Sequence, residues 1–91
     1  MTKRMTPDAA ATLALDALAY LAGVPDAFDR FAELSGLDRN TVRERAQEPS
    51  FLVAVLDFLL TDEQLLVEFC GDASIDPQAV HMARHLLDRH E

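Results

Sequence analysis

The chain has 91 residues, 49% of them hydrophobic, with 3 Gly, 4 Pro and a single Cys. That length leaves room for one domain around one core, and the apolar fraction excludes a disordered chain. Against 16 acidic side chains stand 8 basic ones, and the net charge of −8 disfavours nucleic acid as a bulk partner by repelling its phosphates.

Scarce Gly and Pro with abundant Ala, Leu, Glu and Arg favour helices over a sandwich or barrel. The expected fold is all-α. One helical domain spans 1–91, a compact bundle of five to six short helices around a buried central helix at about 50–60, with 1–5 as a flexible N-terminus. Lys3 and Arg4 ahead of an Ala/Leu-rich stretch suggest a signal peptide. Asp8 and Asp16 interrupt that stretch, however, and no small-residue cleavage site follows.

Thr6-Pro7-Asp8 starts the first helix, with Thr6 as N-cap, and Gly23 ends it. Asp8, Thr12 and Asp16 share one narrow stripe and almost everything else is Ala, Leu or Tyr20, so this helix is expected to be mostly buried. Val24-Pro25-Asp26 opens the second helix, with Phe28, Phe31 and Ala32 inward, and Gly36 closes it. Asp38 caps a short third helix running to about Gln47. Pro49-Ser50 begins the central helix, where Phe51, Leu52, Val55, Leu56, Phe58 and Leu59 leave only Ser50, Ala54, Asp57 and Thr61 as a polar strip. This apolar run contains Asp57 and is about half the length of a membrane span.

Thr61-Asp62-Glu63-Gln64 reads as a capping box for the fifth helix, with Leu65, Leu66 and Phe69 as core contacts. Asp76-Pro77 starts the last, whose apolar stripe is Ala79, Val80, Ala83, Leu86 and Leu87. Phe31, Leu37, Asp38 and Val42 are echoed later by Phe69, Ile75, Asp76 and Val80. Two corners using the same capping chemistry explain the echo more simply than duplication.

The stretch from Phe31 to Ala46 resembles a helix–turn–helix: Ala32 where two helices touch, Gly36 at the turn, Leu37 and Val42 as plugs. Arg39, Asn40, Thr41 and Arg43 would then face a DNA groove, and Arg39, Asn40, Arg43 and Arg45 form the candidate interaction surface. Arg45 occupies a position such motifs keep apolar, and Glu33, Asp38, Glu44 and Glu48 dilute the positive charge. Electrostatics therefore weigh against DNA binding.

His81 and His85 have the spacing of a metal pair but lie on a polar face, with only Cys70 and His90 as conceivable further ligands; two solvated histidines are the better reading. Cys70 sits among Glu68, Asp72 and Asp76, the wrong setting for a thiolate nucleophile. Asp57, Asp62 and Glu63 have structural roles on a polar strip and at a helix start. With no phosphate loop or nucleophile triad, neither enzyme activity nor a cofactor or catalytic or metal site is expected. A lone cysteine fits a reducing, cytoplasmic setting.

The sequence resembles the small, mainly alphaproteobacterial family catalogued as domain of unknown function 3572. The resemblance runs from about Ala10 to Leu87 and is carried by the text around Ala14–Ala22, Arg30–Asp38, Val42–Ala46 and, most specifically, Pro49–Phe69. It implies a stand-alone helical protein without an assigned activity, cofactor or partner. The function expected from the residues is a non-enzymatic interaction or adaptor module, binding another protein or a second copy and no membrane; a divergent DNA binder using the 31–46 corner is the alternative.

Overall fold

A computed structural model of the protein describes residues 5–88, apart from the side chain of Arg39. Residues 1–4, which include Lys3 and Arg4 and most of the expected flexible N-terminus, lie outside the described residues; Met5 packs against the core. The described residues form six α-helices and no strand: α1 (Pro7–Ala22), α2 (Pro25–Ser35), α3 (Val42–Arg45), α4 (Pro49–Thr61), α5 (Glu63–Ala73) and α6 (Pro77–Asp88). A single 3-10 turn, Arg39–Thr41, precedes α3. No single helix is long and apolar enough to cross a membrane.

The caps obey local chemistry. Thr6 Oγ1 accepts the Ala9 N–H at 3.1 Å, Pro7 occupies the first turn of α1, and Asp76 Oδ1 accepts the Gln78 N–H at 2.9 Å ahead of α6. The fifth helix departs from the expected capping box. Its cap is Asp62, whose Oδ1 accepts the Leu65 N–H at 3.1 Å. Thr61 instead ends α4 and donates its hydroxyl back to the Phe58 carbonyl, while Gln64 reaches forward to Glu68. A carboxylate beside a hydroxyl is the stronger acceptor, and shifting the cap by one residue gives α4 its last residue.

Helices α1, α4 and α6 pack on one another and make the centre, with α2 against α1 and α4, and α5 against α4 and α6. The central helix is as expected: Phe51, Leu52, Val55, Leu56, Phe58 and Leu59 are all buried. Ala10, Ala14 and Ala17 on α1 and Ala83 on α6 are wholly buried, consistent with small side chains letting the helices approach closely. Phe31 of α2 meets Phe51 and Phe58 at tilted ring distances of 5.6 and 5.4 Å, and Tyr20 meets Phe69 at 5.5 Å. No side-chain polar atom among the described residues is buried without a partner.

Two sequence expectations change. The third helix is broken into a 3-10 turn and one α-turn that ends at Arg45 and buries no residue. Nor is α1 mostly buried. Leu15, Ala19 and Ala22 lie outside the core in one row beside the Asp8–Thr12–Asp16 stripe. The second change follows from the first: a one-turn α3 is too short to cover the outer row of α1.

Candidate functional site

The corner between α2 and α3 is built as the sequence implies. Gly36 takes the left-handed conformation (φ +68°), and its N–H and that of Leu37 both reach the Ala32 carbonyl, Leu37 at 2.9 Å. The Leu37 bond is the long 6→1 bond of a Schellman-type ending, and the Ala32 carbonyl accepts both N–H groups. Leu37 is buried and Val42 half-buried against the core, so both plugs are in place. Asp38 Oδ1 then accepts the Asn40 N–H at 3.1 Å and turns the chain into the short helix.

The candidate surface residues have different situations. Asn40 and Arg43 are exposed. Arg45 is not free to face outward: its guanidinium lies 5.1 Å from the centre of the Phe51 ring and pairs with Glu48 at 3.3 Å. The position that a helix–turn–helix keeps apolar is thus filled by a cation stacked on an aromatic face. The Arg39 side chain lies outside the described residues. The basic surface of this corner therefore rests on Arg43 among the described side chains, with Glu44 exposed beside it.

Next to the corner runs a groove that sequence reasoning does not anticipate. Leu15, Leu18, Ala19 and Ala22 of α1, Phe28 of α2 and Val42 of α3 line about 360 Å³ with apolar side chains only. Leu15 is 42% exposed there. The available signal is the row Leu15, Ala19, Ala22, apolar at helical spacing beside an acidic stripe. That row reads as core only if the third helix is long enough to cover it.

A second hollow of about 240 Å³ lies between α2 and α4, lined by Phe31, Leu34, Ala54, Phe58 and the polar strip residues Asp57 and Thr61. Leu34, at its edge, is 78% exposed. Two ion pairs frame this side. Arg84 of α6 binds Asp57 through two nitrogens, and Arg30 holds Asp62 at 3.1 Å while lying 5.5 Å from the Phe58 ring centre. Asp57 lies on its expected strip, but its partner is 27 residues away and cannot be read from local spacing. The Asp57 carboxylate raises the pKa of Arg84 further, and the cap bond from Leu65, then Arg30, holds Asp62 below the usual carboxylate range.

The remaining candidates stay apart. His81 and His85 are exposed on α6, and among the described residues no group of three or more His, Cys, Asp or Glu converges as a metal site; His90 lies outside the described residues. Cys70 is buried, and its thiol pKa is raised by burial first and by Asp76 second. Burial lifts the Tyr20 hydroxyl pKa as well, ahead of Glu68 and Asp72.

No curated protein and no solved structure matches the chain. A family model described as "Protein of unknown function (DUF3572)" matches residues 7–90, and the chain belongs to that family.

Proposed function

We propose that this protein is a non-enzymatic interaction module that holds another protein, or a second copy of itself, on the face formed by α1, α2 and α3. The observation that carries this reading is the groove from Leu15 to Val42, lined among the described residues by apolar side chains and open to solvent on a chain with twice as many acidic as basic side chains. An acidic exterior does not need such a groove for solubility, and apolar concavities of this volume are a common place for ligands and partners to dock.

The test is affinity capture from the native cell with the wild-type chain and with Ala19→Arg, quantified by mass spectrometry. Ala19 is exposed, so a long cation there fills the groove without entering the core; circular dichroism checks that the helices persist. One protein, or the chain itself, recovered with wild type and lost with Ala19→Arg supports the reading. A strict monomer in light scattering, with no recovered protein that depends on Ala19, overturns it.

DNA binding through the 31–46 corner retains one observation in its favour, the tight Gly36 turn presenting an exposed Arg43. A four-residue α3 and an Arg45 occupied by Phe51 and Glu48 offer little to enter a groove. A low-salt gel shift without retardation removes this alternative.

A further inference from the structure

Resting on that interaction reading, we infer that the α1–α2–α3 groove receives the apolar face of a cationic amphipathic helix belonging to a different protein. Three observations select this occupant. Among the described residues the groove is lined by no charged or hydroxyl side chain, which favours an apolar occupant. Its α1 wall presents Leu15, Ala19 and Ala22 at i, i+4 and i+7, a row in which two small residues allow another helix backbone to come close.

Charge decides the rest. Among the described side chains, exposed Asp16 adjoins Leu15 on α1, and exposed Asp38 and Glu44 flank Val42 in the chain, against an exposed Arg43. Elsewhere Arg30, Arg45 and Arg84 are each paired with a carboxylate. The chain is acidic overall, and a second copy carrying the same −8 is repelled where a helix with lysines or arginines flanking its apolar stripe is attracted.

The experiment uses the full chain with two synthetic helical peptides of identical leucine spacing, one with lysine and one with glutamate at every polar position. Affinity is read by fluorescence anisotropy at physiological salt, and location by NMR of the Leu15, Leu18 and Val42 methyl groups. The lysine peptide is expected to bind at least about tenfold more tightly than the glutamate peptide. It should shift those methyls, lose at least about tenfold in affinity with Ala19→Arg, and be unaffected by Leu34→Ala across the α2–α4 hollow.

Four outcomes overturn the inference. They are no binding, equal affinity for both peptides, binding insensitive to Ala19→Arg that spreads over the acidic surface, or the same methyl shifts caused by self-association at high protein concentration. If any of these occurs while Ala19-dependent capture persists in the cell, only the identity of the occupant is wrong. If capture fails as well, the interaction reading fails with it.

Discussion

The chain turns the same corner twice, with opposite results. After α2, Gly36 adopts the left-handed conformation, Leu37 bonds back to Ala32, and Asp38 caps the next turn; after α5, Ser74 adopts it (φ 58°), Ile75 bonds back to Cys70 at 3.0 Å, and Asp76 caps the next helix. Yet the second corner opens into the twelve residues of α6, and the first into a 3-10 turn and one α-turn. The capping chemistry cannot be the cause, because it is shared.

The difference lies three and seven residues beyond the valine that each corner supplies. Beyond Val80, Ala83 and Leu87 are buried and make α6 one of the three central helices. Beyond Val42, the same positions hold Arg45 and Pro49, a cation and the residue that starts the next helix. A corner fixes where a helix starts; the apolar repeat decides whether it continues and what it covers. The halted α3 leaves the outer row of α1 open, and this creates the groove.

Exchanging the deciding residues should break this comparison most sharply. Ala83→Arg places at the second corner what Arg45 is at the first, but in a fully buried site without a partner, and is expected to cost about 3–5 kcal/mol or to prevent folding. Arg45→Ala should cost only about 0.5–1 kcal/mol, from the Phe51 stacking and the Glu48 pair. Urea unfolding measures both, and losses of similar size would show that the corners are energetically alike.

Next in size are the turn residues themselves. Gly36→Ala is expected to lose about 1–2 kcal/mol, a conformational cost only, because an added Cβ at Gly36 meets nothing within 4 Å. Ser74→Gly should gain up to about 1 kcal/mol by relieving the same cost at the second corner. A fall in the urea midpoint for Gly36→Ala and a rise for Ser74→Gly would support both endings being of one kind; shifts of the same sign would contradict it.

The smallest effect concerns the cap shared by α4 and α5. The Asp62 pKa is depressed in the folded chain, so its contribution is complete above the unfolded value of about 3.9 and is lost as pH falls through the lower folded value. Asp62→Asn should flatten that part of the acid dependence, whereas Thr61→Ala should leave it intact. An unchanged acid limb in Asp62→Asn would return the cap to Thr61.

These contrasts also explain which features are legible in the sequence. Helix starts are legible because Thr6, Asp38, Asp76 and the Pro residues at positions 7, 25, 49 and 77 act through bonds to near neighbours or through their own backbone restriction. The core face of α4 is legible because apolar spacing fixes a helix face whatever packs against it. Asp57–Arg84 and Arg30–Asp62 are not, since both join residues brought together only by the packed fold. The groove is hidden for a related reason. Leu15, Ala19 and Ala22 look like core from their own helix, and only the shortness of α3, farther along the chain, leaves them uncovered.

Residue-level amide hydrogen exchange on the full chain tests the central claim most directly, that the first corner ends in a surface element and the second in core. The amides of Ala46 and Glu48, bonded within the first corner, should exchange through local opening, with protection well below that of global unfolding. Those of Ala83 to Leu87 in α6 should exchange only with the whole molecule. Equal protection in the two segments would contradict the account.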